Sequence, residues 1–164
     1  MIKLSEIKEL DIKITWKMIF IGLCEKQIST KDVINYAVEQ ISNNEEKIEV
    51  LELAGESEND HEYILSLVRK LQEDSLNYDI EKRKIRIAIV KNTISKKNND
   101  FIDGLLELTD LWCRLGYPDD SPHIIQGLDN FLSPTEYYTK ENYDILYKKN
   151  YEWFVEELSF LQKQ

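Results

Sequence analysis

His61 and His123 are the only histidines in this chain, and that scarcity bounds its chemistry before anything else does. Histidine is the side chain whose ordinary pKa lies nearest neutrality, so two copies leave little general acid–base capacity. His61 follows Glu58 at the Glu-x-x-His spacing with which helical bundles hold paired iron ions. Such bundles need two helices with this pair and two more with single glutamates, all facing inward. Asp120 and His123 repeat the spacing, but Ser121-Pro122 between them breaks the geometry that makes i and i+3 neighbours. His61 sits between Asp60 and Glu62, in the arrangement of an exposed helix start, where acids complement the positive end of the dipole. The residues therefore predict no metal site and no cofactor.

Cys113 and His123 are the one cysteine–histidine pair close in sequence. A nucleophilic thiolate needs an adjacent base and partial exposure. Cys113 instead shares a turn with Leu111 and Trp112, and Cys24 lies beside Ile21–Leu23. Both read as buried free thiols in a reducing compartment. No glycine-rich phosphate loop, His-Glu-x-x-His pattern or nucleophile elbow occurs, so the chain reads as a binding protein rather than an enzyme.

Charge is the more informative pattern. The net charge is −10, which as a bulk property repels nucleic acid and anionic membranes. Residues 45–62 hold eight acids against Lys47 alone, whereas residues 82–97 hold seven lysines and arginines and no acid. Lys82-Arg83-Lys84-x-Arg86 has the charge to meet phosphates but lacks interleaved aromatics for base stacking, and it equally well satisfies acids within the same domain. Asp103, Glu107 and Asp110 fall at i, i+4 and i+7, so they line one helix face, as a contact ridge or as a solvated surface. Glu45, Glu49, Glu52, Glu56, Asp119 and Asp120 join them as candidate contacts for a cationic protein. Tyr137 and Tyr138 are further candidates from an aromatic-rich C-terminal region, since tyrosine anchors many interfaces.

The elements that must position these residues are helical. The 164 residues suit a single domain spanning 1–164 with one core, and eight glycines and prolines together are too few for a many-stranded sandwich or barrel. The expected fold is an all-α bundle of about six to seven helices. Around Lys13, Ile12 and Ile14 alternate as in a short N-terminal strand, while Ile7, Leu10 and Ile14 fit a helix. From Thr15 the pattern turns helical, with Trp16 on its inner side; Ser29 caps the next helix, and Ile48, Leu51 and Ala54 are the expected buried residues of a third. Tyr63, Ile64, Leu67, Val68 and Leu71 form a fourth stripe. Residues 79–95 fit either helix or strand, their length favouring helix. Asp100 opens a strong helix with Ile102, Leu105, Leu108, Leu111, Trp112 and Leu115 inward. Gly116 closes it in a left-handed cap, followed by Tyr117 and Pro118. Ser121-Pro122 suggests a short helix to Gln126, and the last helix begins near Thr139. No run approaches the 18 or so apolar residues of a membrane span, and no export signal is visible, which points to the cytoplasm.

Three fragments carry a resemblance. Ile14-Thr15-Trp16 with Gly22-Leu23, then Ile28-Ser29-x-x-Asp32-Val33-x-x-Tyr36-Ala37, and later Leu111-Trp112-x-x-Leu115-Gly116-Tyr117-Pro118-Asp119-Asp120 resemble an uncharacterised family of small acidic bacterial domains. The likeness spans nearly the whole chain, and the Gly116–Asp120 turn is its distinctive part. The resemblance implies no catalytic residues. It implies that the chain is an immunity protein, since small acidic proteins of this kind are often encoded beside polymorphic toxins. The expected partner is thus a protein, a basic toxin domain, met by a monomer or weak dimer. A helical adaptor or regulatory subunit without a toxin is the alternative.

Overall fold

A computed structural model of the chain describes residues 1–127 and 132–164. Every regular element among them is helical: α1 (Leu4–Lys8), α2 (Trp16–Cys24), α3 (Thr30–Ser42), α4 (Ile48–Ala54), α5 (His61–Leu71), α6 (Tyr78–Ile94), α7 (Phe101–Arg114), α8 (Pro134–Tyr137) and α9 (Lys140–Leu161). The all-α class is as expected, with nine helices among the described residues rather than six or seven. The surplus comes from α1 and α8, which span five and four residues and are too short to display a helical period. No strand forms at Ile12 and Ile14: Ile12 is buried, but the extended chain there leads directly into α2.

The helices gather into two compact units, Met1–Ala88 with Leu161–Gln164, and Ile89–Phe160. In the first, α3 packs on α4, and α5 packs on both α2 and α4. The side chains that drive this are regularly spaced: Val33 and Ala37 on α3, and Ile64, Leu67, Val68 and Leu71 on α5, all buried. Thr15 caps α2, its hydroxyl accepting from the Met18 N–H at 3.1 Å, and Ser29 caps α3 through Asp32 N–H at 3.1 Å. α4 corrects the expectation for residues 45–54. Val50 and Leu53 are its buried residues, whereas Ile48 and Leu51 face solvent and Ala54 is half-buried. Seven residues are too few for periodicity to choose a face, and packing on α3 and α5 chooses the other one.

Residues 78–94 are helical throughout. Ile85, Ile87, Ala88 and Val90 are all buried, so α6 is covered on more than one face, and that mimics strand alternation in the sequence. Glu81 and Lys84 are buried with them and pair at 2.9 Å.

In the second unit a core cluster joins Val90 and Ile94 to Leu105, Leu108, Leu111 and Trp112 of α7, and to Tyr137, Tyr143 and Leu146. Asp100 caps α7, accepting from the Ile102 and Asp103 amides at 2.8 and 3.1 Å. The helix ends as read from the sequence: Gly116 has φ +76°, its N–H donates to Cys113 O at 3.0 Å, and Tyr117 N–H donates to Trp112 O at 2.8 Å. This is the paired bonding of a Schellman turn, and Tyr117 itself adopts φ 47°. The helix expected from Ser121-Pro122 to Gln126 does not form. Two tyrosine hydroxyls take its carbonyls instead, Tyr117 donating to His123 O at 2.5 Å and Tyr137 to Ile124 O at 2.6 Å.

α7 and the Tyr143 ring meet at Gly104, where an added Cβ would lie 2.5 Å from the ring atoms. Gly104→Ala should destabilise the chain by about 1–3 kcal/mol, the usual range for overpacking, despite alanine's better helix propensity. A urea midpoint unchanged or raised in Gly104→Ala would show that the ring yields freely.

Candidate functional site

Glu45, Glu49, Glu52 and Glu56 surround the outer face of α4, and that face is not simply solvated polar surface. Ile48 and Leu51, 68% and 48% exposed, lie among the acids, and Tyr63 of α5 adds a ring that is 41% exposed. The Tyr63 hydroxyl donates to Glu52 Oε2 at 3.2 Å, and the Glu52 carboxylate holds the phenol above its ordinary pKa. Glu45 lies 3.9 Å from Lys47, a loose exposed pair. Glu49, Glu52 and Glu56 enter no ion pair among the described residues; Glu52 is exposed, while Glu49 and Glu56 are half-buried.

α7 repeats this construction in the second unit. Asp103, Glu107 and Asp110 are all exposed on one side of the helix, as their spacing predicts. Beside them stand Ile102 and Leu106, 43% and 48% exposed. The expectation that Ile102 turns inward is therefore corrected. At about 100° per residue it sits about 120° from the centre of the buried set Gly104, Leu105, Leu108, Leu111 and Trp112, outside the core sector. Asp110 pairs with Arg114 at 2.9 Å in an exposed i,i+4 bridge, whereas Asp103 and Glu107 are in no ion pair among the described residues. Beyond the acids a polar groove of about 450 Å³ runs along residues 92–99, with Lys96 on one wall and Glu107 and Asp110 on the other. Lys97, in the same groove, is already committed. It pairs with Asp144 at 2.7 Å, lies over the Tyr143 and Tyr147 rings, and holds the Asp144 carboxyl below its usual range.

The remaining candidates are distributed otherwise. Asp119 and Asp120 are exposed in the turn after α7, where Trp153 Nε1 donates to Asp120 at 3.3 Å. Tyr137 is a correction: its ring is buried in the core and its hydroxyl is bound to a backbone carbonyl, so it is not surface. Tyr138 is half-buried and meets Tyr137 edge-on at 5.1 Å. Of the residues expected to be structural, Trp112 is fully buried, Trp16 packs edge-on against Tyr36 at 5.2 Å, and Gly116, Tyr117 and Pro118 form the turn described above.

Both cysteines are free, but both are exposed rather than buried. Cys24 is the last residue of α2, and Cys113 lies on the solvent side of α7 next to buried Leu111 and Trp112. Glu58 and His61 are exposed, and no group of three or more histidine, cysteine or acidic side chains gathers in metal-binding geometry among the described residues. The basic run of α6 is engaged within the fold: Lys82 pairs with Glu25 at 2.6 Å, Lys84 is buried against Glu81, and Arg83 and Arg86 also have partners. No helix among the described residues is long and apolar enough to cross a membrane.

Ile48, Leu51, Tyr63 and Ile102 were missed as surface features from the sequence, which placed these four inside, and Leu106 was not singled out. The available signal was an excess: residues 101–115 hold more large apolar side chains than one core stripe can use.

Among known proteins, a family model described as an uncharacterised protein conserved in bacteria (DUF2247) matches residues 4–158. No curated protein and no solved structure matches the chain.

Proposed function

The chain belongs to this bacterial family, and from that premise and its own surface we propose that it is a non-enzymatic binding protein, an immunity protein that neutralises a basic toxin domain by direct contact in the cytoplasm. One observation carries the reading. Exposed acids stand beside exposed large apolar side chains on two helices, Glu52 with Ile48 and Leu51 on α4, next to Tyr63 of α5, and Asp103 and Glu107 with Ile102 and Leu106 on α7. A surface that serves only solubility needs the acids but not the apolar residues. A protein-binding surface uses both: acids steer a cationic partner and raise its association rate, and apolar side chains supply the burial that holds it.

Charge reversal tests the electrostatic half. Replacing Glu49, Glu52 and Glu56 by lysine in one variant, and Asp103 and Glu107 in another, should weaken partner binding at least about tenfold in one or both. The loss should shrink as salt is raised, because screening removes what the acids contribute. Affinity unchanged in both variants would remove these faces from the interface. Recovery of a housekeeping complex in place of a toxin would favour a helical adaptor instead.

A further inference from the structure

α7 carries a second apolar stripe that its own core does not use. Leu105, Leu108, Leu111 and Trp112 are buried on one side, while Ile102, Leu106 and Cys113 are exposed on another, with half-buried Thr109 between them. The sequence steps from 102 to 106 to 109 to 113 are four, three and four residues, the d–a–d–a spacing along which two helices interlock. At 1.5 Å per residue the stripe runs about 16 Å, three turns of a partner helix. It has two banks. Asp103, Glu107 and Asp110 form one. On the other, Thr109 Oγ1 meets Nε2 of buried His123 at 2.8 Å, which anchors residues 121–125 beside the helix.

We propose that this trough docks an amphipathic helix of a partner protein, with apolar residues at heptad spacing and lysine or arginine along the flank that meets Asp103 and Glu107. The assignment rests on the toxin-neutralising reading and names the segment contacted. Charge selects the occupant. A second copy of this chain, itself at −10, would bring another acidic bank against the first, whereas a basic flank is attracted by it. The Asp110–Arg114 bridge is no barrier, since an exposed pair of this kind holds its partners weakly.

Cys113 lies in the trough and Cys24 is exposed in the other unit, so alkylation rates report occupancy with an internal control. The probe is a synthetic helical peptide with leucine at heptad a and d and lysine at e and g. At saturating peptide, Cys113 alkylation of the full chain should slow at least about tenfold while Cys24 keeps its rate. Leu106→Glu should abolish the protection. That variant adds attraction for the lysines and removes only the apolar seam, so its failure to bind reports the seam rather than bulk charge. Unprotected Cys113, equal slowing of both thiols, or protection that survives Leu106→Glu would each overturn the docking site. The same variant separates this inference from the one beneath it. A toxin neutralised equally by wild type and Leu106→Glu leaves the function standing and removes α7 from it. Leu106-dependent peptide protection in a chain that neutralises no toxin keeps the trough and removes the toxin.

Discussion

Lys84→Met is expected to lower the stability of the chain by about 3–5 kcal/mol, the cost of leaving one member of a buried ion pair without the other. Lys84 and Glu81 are each only 2% exposed, and Lys84 Nζ lies 2.9 Å from Glu81 Oε1. The other carboxylate oxygen of Glu81 accepts from Thr15 Oγ1 at 2.5 Å, and the same hydroxyl caps α2. Removing the ammonium would strand a buried carboxylate with one hydroxyl, that of Thr15, to stabilise it. Replacing both partners, as Lys84→Met with Glu81→Leu, should restore most of the loss, because apolar residues of similar volume need no partner. Urea unfolding followed by circular dichroism measures both. A Lys84→Met midpoint within error of wild type would mean that the pair is solvated after all.

Trp112→Ala should cost a comparable amount, about 3–5 kcal/mol, through the cavity left by a fully buried indole. The loss is compounded by a polar group. Trp112 Nε1 donates to Asn150 Oδ1 at 2.6 Å, and Asn150, itself fully buried, donates from Nδ2 to Leu146 O at 2.8 Å. The Trp153 ring stands edge-on to Trp112 at 5.0 Å and would lose that contact as well. Trp112→Phe separates the contributions, keeping most of the ring while leaving the Asn150 oxygen unmet, and should cost about 1–3 kcal/mol more than the lost volume alone. If Trp112→Ala unfolded at the wild-type urea concentration, the indole could not be the centre of the second core.

Local signals of the sequence translated well where a single residue type does a single job. Thr15, Ser29, Asp60 and Asp100 each cap the helix they precede, and Gly116 supplies the left-handed residue that ends α7. Periodicity worked for α5 and α7, whose buried stripes run several turns. It failed where the element is short or a tertiary bond competes. α4 has two apolar pairs on different faces, and only its neighbours decide that Val50 and Leu53 go in. Ser121-Pro122 looks like a helix start, yet the hydroxyls of Tyr117 and Tyr137, the latter remote in sequence, capture the carbonyls it needs. The candidate site was half legible for the same reason. Acids at helical spacing are visible as a face, but which leucines and isoleucines remain outside depends on how much core the neighbouring helices can offer. Ile48, Leu51 and Ile102 were therefore assigned to an interior that does not take them.

The central claim, that this chain neutralises a basic partner by stoichiometric contact, is tested most directly by titrating the purified protein against the proposed cognate toxin, sought first as the product of the adjacent reading frame, and reading residual toxin activity. Activity falling linearly to zero at one equivalent, and restored toward full when Asp103 and Glu107 or Glu49, Glu52 and Glu56 are reversed to lysine, is the predicted result. Full activity at a large excess of the wild-type chain would contradict the account.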